Sequence, residues 1–172
     1  MNNAQRTAQA LADIVELVAP GSEPIRHRLA EAVAGLQFAH SWETAGALLD
    51  AMYDVDADLS EAGMIYCDWR SEPSEIRDSL VEIPSCPPTL NWEWLDQFDE
   101  DEWEPEEIES FLWLLAARCR ELGTALIILD VESDGYGLGF VAADRVDRIV
   151  ELARIATCDL RVVYPEIPTL VV

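Results

Sequence analysis

The sequence contains no lysine: all eleven of its basic residues are arginines. Histidine occurs twice, and the four cysteines (Cys67, Cys86, Cys119, Cys158) stand far apart, with no C-x-x-C and no Cys/His cluster. A zinc site needs such clustering, so no metal is expected and the thiols read as free and buried. Long apolar runs are also missing. The longest, "FLWLLAA" at 111–117 and "ALIIL" at 125–129, fall far short of the roughly 20 residues that cross a bilayer. The N-terminal stretch "MNNAQRTAQALADIVELV" has acids inside its apolar part and no signal-peptide core, which predicts a cytoplasmic protein. Disulfides are not expected in that compartment.

The usual catalytic signatures are absent. There is no H-E-x-x-H, G-x-S-x-G, phosphate-binding loop or dinucleotide fingerprint. His27 lies between two arginines, and His40 sits where a helix should end or begin, so neither reads as a catalytic base. "GYGLG" at 135–139 reads as strand alternation, with Tyr136, Leu138 and Phe140 on one face and two glycines on the other. Asp54, Asp56 and Asp58 have the first spacings of a calcium loop, but Leu59 and Ile65 fall where glycine and glutamate are required. No enzyme activity, catalytic residue or cofactor is therefore expected.

What the sequence does have is negative charge. The net charge is −23 over 172 residues, divided as −1 for residues 1–40, −19 for 41–110 and −3 for 111–172. Phosphate binding needs cations that the middle of the chain lacks, so direct contact with nucleic acid or an anionic membrane is disfavoured. Half the residues are apolar and mean hydropathy is +0.03, which predicts a folded chain despite the charge. The length fits a single domain over 1–172.

Apolar spacing predicts three N-terminal helices. The first carries Ala8, Leu11, Ile14, Val15 and Val18 on one stripe. The second, capped by Ser22, buries Ile25, Leu29, Val33 and Leu36. The third, capped by Ser41, buries Trp42, Ala45, Leu48, Leu49 and Met52. A strand is expected within 63–69, a helix from Pro73, and a long helix over 105–122. A hairpin should pair 125–131 with 136–142 around Asp134-Gly135. A helix over 142–156, apolar at Val146, Ile149, Val150 and Ala153, and a strand at 160–164 complete the pattern. The class is α+β, a small antiparallel sheet with helices on one face.

The most unusual stretch is "NWEWLDQFDEDEWEPEEIES". Residues 91–110 hold ten carboxylates, no basic residue and three tryptophans. Such crowding costs stability by self-repulsion and exceeds what solubility requires, which points to use by a cationic partner. Carboxylates steer such a partner and an aromatic ring anchors it.

The order of a long helix, a hairpin whose second strand runs through "SDGYGLGFV", the helix "AADRVDRIVELA" and a closing strand resembles small uncharacterised bacterial α+β domains. Several of these serve as immunity proteins against secreted toxins. The resemblance spans about 105–164. It implies a cytoplasmic protein that neutralises a toxin by occlusion. The expected partner-binding residues are Trp92, Glu93, Trp94, Asp96, Asp99, Glu100, Asp101, Glu102, Trp103, Glu104, Glu106 and Glu107, with Asp54, Asp56 and Asp58 as a second group. The alternatives are a nucleic-acid mimic that inhibits a DNA- or RNA-binding protein, and a carboxylate-based hydrolase.

Overall fold

Asn2 accepts a hydrogen bond from the Gln5 amide, and the Gln5 side chain accepts one from the Asn2 amide, both at 2.9 Å. This reciprocal cap starts α1 (Asn3–Val18) in the computed structural model, which describes residues 1–165. The end of the expected domain, 166–172, lies outside the described residues. Leu11, Ile14, Val15 and Val18 are buried as the spacing predicts, and Ala8 is half-buried. Ser22 caps α2 (Glu23–Val33), whose Ile25 and Leu29 are buried; Val33 is half-buried, and Leu36 lies past the helix end. In α3 (Ser41–Met52) the cap is His40, one residue earlier than expected. The Glu43 carboxylate accepts the His40 amide at 2.8 Å. Trp42, expected in the core, is 54% exposed and stacks on the His40 ring at 5.7 Å.

The remaining elements are β1 (Met64–Asp68), α4 (Pro73–Leu80), α5 (Ile108–Glu121), β2 (Thr124–Asp130), β3 (Gly135–Ala142), α6 (Val146–Ala156) and β4 (Leu160–Val163). The expected helix over 105–122 divides into a 3₁₀ turn at Pro105–Glu107 and α5; that over 142–156 divides into Ala143–Arg145 and α6. Val150 of α6 is exposed, and Leu152 and Ala156 complete its buried stripe instead. The four strands are antiparallel in the order β1-β3-β2-β4. The hairpin register runs from Thr124 opposite Ala142 to Asp130 opposite Tyr136. Its turn is not Asp134-Gly135. The loop is 131–134, Glu132 holds the left-handed conformation at φ 55°, and Gly135 opens β3.

The α+β class holds, but both faces of the sheet are covered rather than one. On one face α1, α2, α3 and α6 pack on Met64, Ile127, Leu129 and Val141. On the other, α4, α5 and Trp94 pack on Ile65, Cys67, Leu126, Leu138 and Phe140. A sheet buried on both sides needs apolar residues on both, so β2 and β3 read as apolar runs rather than alternating strands.

The glycines of β3 leave room for β1 side chains to lie across the strand and, at Gly137, for a side chain of α3. A Cβ at Gly139 would lie 2.9 Å from Met64 Cγ and 3.0 Å from the Gly63 carbonyl oxygen; one at Gly135 would lie 2.6 Å from the Cys67 carbonyl oxygen. At Gly137 the neighbours include Leu49 of α3. Gly139→Ala and Gly135→Ala should each cost about 1–3 kcal/mol through overpacking. Gly46→Ala, with open space in the interior of α3, should instead add up to about 1 kcal/mol. Urea denaturation of the three variants checks the opposite signs.

Desolvation raises every thiol from its ordinary value of 9.0: Cys67, Cys119 and Cys158 to about 12, Cys86 to about 11. Thiols of this kind are poor nucleophiles. The folded thiols hold their protons more tightly than unfolded ones. Their contribution is therefore intact below pH 9 and is lost as the pH rises towards 11–12. The urea midpoint should fall between pH 8 and pH 10.5, and this fall should shrink in a Cys67→Ala variant.

Candidate partner-binding surface

The three tryptophans of the acidic segment turn inward. Trp94 is 7% exposed, its ring 5.5 Å from Phe111 of α5, and its indole N–H donates to the Asn91 carbonyl at 2.7 Å. Trp92 stacks beside it at 5.8 Å, and Trp103 meets Phe98 edge-on at 5.6 Å. Phe98 in turn contacts Phe111 at 6.0 Å. The rings expected to anchor a partner thus form an aromatic lattice against α5. Trp94 belongs to the core, and Trp92 and Trp103 are half-buried against it. The spacing of Trp94, Leu95 and Phe98 also fits one buried face of a short helix; the rings do pack inward, but from three short 3₁₀ turns, Glu93–Gln97, Glu100–Glu102 and Pro105–Glu107.

The carboxylates divide by role. Asp99 accepts the Asp101 amide at 3.0 Å, and Glu107 accepts the Glu104 amide at 2.9 Å. Glu100 accepts the Ser74 amide at 2.8 Å, placing a negative charge at the N-terminus of α4, where the helix dipole favours it. This bond ties the acidic segment to α4. Glu93, Asp96, Asp101, Glu102, Glu106 and Glu109 make no hydrogen bond or ion pair through their side chains among the described residues, and all six are exposed. Leu95, Phe98, Asp96, Asp99, Asp101 and Arg77 line an open hollow of about 610 Å³.

Asp54, Asp56 and Asp58 belong to the loop between α3 and β1. Asp54 accepts the Asp56 amide at 3.0 Å, and Asp58 accepts the Ser60 amide at 2.8 Å, a bond that holds the Asp58 carboxyl below its ordinary range. They shape turns. Asp54 lines a separate hollow with Arg28, Glu31 and Tyr53, so the structure does not join it to the hollow beside Phe98. Among the described residues no group of three or more His, Cys, Asp or Glu is placed to share an ion. His27 faces Glu31 at 3.4 Å on the surface of α2, and His40 stacks on Trp42.

A feature that the sequence does not by itself reveal lies at the loop end of the β2–β3 hairpin. Trp69 follows β1, is 43% exposed, and donates its backbone amide to the Asp134 carbonyl at 2.8 Å. With Ile128, Asp130, Ser133, Asp134, Tyr136 and Arg161 it borders a cleft of about 320 Å³. Burial, then the nearby Cys67 and Asp68, raises the Tyr136 phenol, and its hydroxyl oxygen is buried without a hydrogen-bond partner among the described residues. The sequence signal was an aromatic placed directly after the alternating strand "MIYCD", where a core residue would have no sheet to cover.

No curated protein and no solved structure matches the chain. Among the described residues no helix is long and apolar enough to cross a membrane. A family model described as "Domain of unknown function (DUF6630)" matches residues 10–164, most of the sequence, and the chain belongs to that family.

Proposed function

We propose that this protein acts in the cytoplasm by binding a cationic protein and occluding its working surface, as an immunity protein does with a toxin. One observation carries the reading. Six exposed carboxylates without partners project from a segment that an aromatic lattice holds in place. Folding accounts for part of the set, since Glu106 and Glu109 lie at the N-terminal end of α5, where the helix dipole favours acid. Glu93, Asp96, Asp101 and Glu102 repel their neighbours and neither accept a capping hydrogen bond nor pair with an arginine among the described residues. A basic partner would be drawn to this surface over a Debye length of about 8 Å at physiological salt, with the benefit falling on the association rate. The resemblance of residues 105–164 to immunity-type domains supports the toxin as the partner class. A nucleic-acid mimic differs in what it captures: a DNA- or RNA-binding protein that duplex competes away.

The hydrogen bonds of the segment guide which acids to neutralise. Glu100 and Asp99 hold the segment's own path, so Glu93, Asp96, Asp101 and Glu102 are the informative set. Capture from lysate of the source cells identifies the partner, and surface plasmon resonance then measures it. The variant carrying Glu93→Gln, Asp96→Asn, Asp101→Asn and Glu102→Gln should associate about tenfold or more slowly at low salt, with dissociation little changed. Trp94→Ala should act through folding, costing about 3–5 kcal/mol. Co-expression with the captured partner should restore growth if the partner is a toxin. An association rate insensitive to salt, or unchanged in the quadruple variant, overturns the proposal.

A further inference from the structure

Recognition needs an aromatic anchor, and the tryptophans of the acidic segment are packed inward. Trp42 and Trp69 are the exposed tryptophans, and of the two it is Trp69 that borders a concave site beside carboxylates. We propose that the cleft between Trp69 and the β2–β3 loop receives an arginine side chain of the cationic partner, stacked on Trp69 and ended by the carboxylates of Asp134 and Asp130. This rests on the reading of a cationic partner and adds a second point of contact to the acidic segment.

The chemistry of the walls selects the ligand. The cleft measures about 320 Å³, the low end for a ligand pocket and ample for one long side chain. Ile128 and the Tyr136 ring offer an apolar wall to a methylene stem, and Trp69 offers an aromatic face. That ring already holds a guanidinium, that of Arg70 at 4.6 Å from its centroid, so its surroundings suit a planar cation. The Asp134 carboxylate has no hydrogen bond or ion pair among the described residues. Asp130 accepts the Glu132 amide through Oδ1, and its Oδ2 lies 3.8 Å from Arg161, beyond hydrogen-bond distance. Arg161 forms an ion pair with Asp130 at that distance and a closer one with Asp159 at 3.0 Å, so Asp134 is the carboxylate of the cleft without an ion pair among the described residues. The cleft therefore keeps carboxylate oxygens available beside an aromatic wall, with two carboxylates against one guanidinium in its lining. Arginine fits this better than lysine, because its planar head stacks on a ring while still donating to carboxylates. Anchors of this type, seated in a pocket, carry a large share of interface energy.

The test uses the isotope-labelled full chain and a hexa-arginine peptide as probe, with hexa-lysine alongside, followed by two-dimensional nuclear magnetic resonance. Trp69→Leu identifies the Trp69 indole signal, and the rest of its spectrum reports that the fold is intact. The expected result is a saturable shift of the Trp69 indole and the Gly135 amide with hexa-arginine. Binding at this site should weaken about two- to fivefold in Trp69→Leu. It should weaken at least as much in the Asp130→Asn/Asp134→Asn double variant, and persist when Glu93, Asp96, Asp101 and Glu102 are neutralised. Shifts confined to residues 93–109 would overturn the cleft and leave the cationic-partner reading standing. The absence of any saturable shift overturns both. Equal affinity of hexa-lysine for the cleft overturns the assignment to arginine.

Discussion

Ten carboxylates between Glu93 and Glu109 repel one another, and what opposes that repulsion is aromatic contact. Trp94, Phe98 and Trp103 are spaced through the acids so that each of these rings meets Phe111 or a neighbouring ring. Removing water from such rings contributes several kilocalories per mole, and the edge-on geometry adds about 0.5–1.5 kcal/mol per pair. The charges ride on the outside of this lattice. Without it the segment would swell into solvent and its carboxylates would have no fixed positions to offer. The same composition that looks contradictory as sequence, apolar and highly charged at once, is a division of labour between two sides of one path.

The lattice in turn depends on the sheet having a second covered face. Phe111, Leu115 and Cys119 of α5 fill the space over Leu126, Leu138 and Phe140, and α5 is what Trp94 rests on. The other face is set by β3, where Gly135, Gly137 and Gly139 leave room for Met64, Tyr66 and Leu49. One strand thus serves two layers, thin towards α3 and bulky towards α5. Its central place between β1 and β2 requires this.

Much of this was legible in the sequence. The helices at 3–18 and around 146–156, the antiparallel pairing of the two hairpin strands and the close approach at the glycines follow from local periodicity, which is strong there, while the hairpin register does not. The layering was not. "ALIIL" carries the sign of burial on both faces, yet a short apolar run has the same appearance in several settings. Trp42 and Val150 fit helical stripes by spacing but lie exposed, since periodicity fixes a direction and not whether anything stands there. The acidic segment is ambiguous as sequence: Trp94, Leu95 and Phe98 fit one buried helical face, while the density of carboxylates around the tryptophans points to a partner. Trp69 offers only a weak signal, a single aromatic directly after a strand, with no repeat to set it apart from a strand residue.

The order β1-β3-β2-β4 also has a temporal side. The β2–β3 hairpin closes across a four-residue loop, whereas β1 pairs with residues some seventy positions further along the chain. Loop closure of that length costs entropy before any contact returns it, so the hairpin forms early and β1 joins late. As the chain leaves the ribosome, β1 emerges well before its partner strand and stays unpaired until that strand arrives. Its exposed Tyr66 and Asp68, one aromatic and one charged, keep this waiting strand from being a uniformly apolar edge on which another chain could pair.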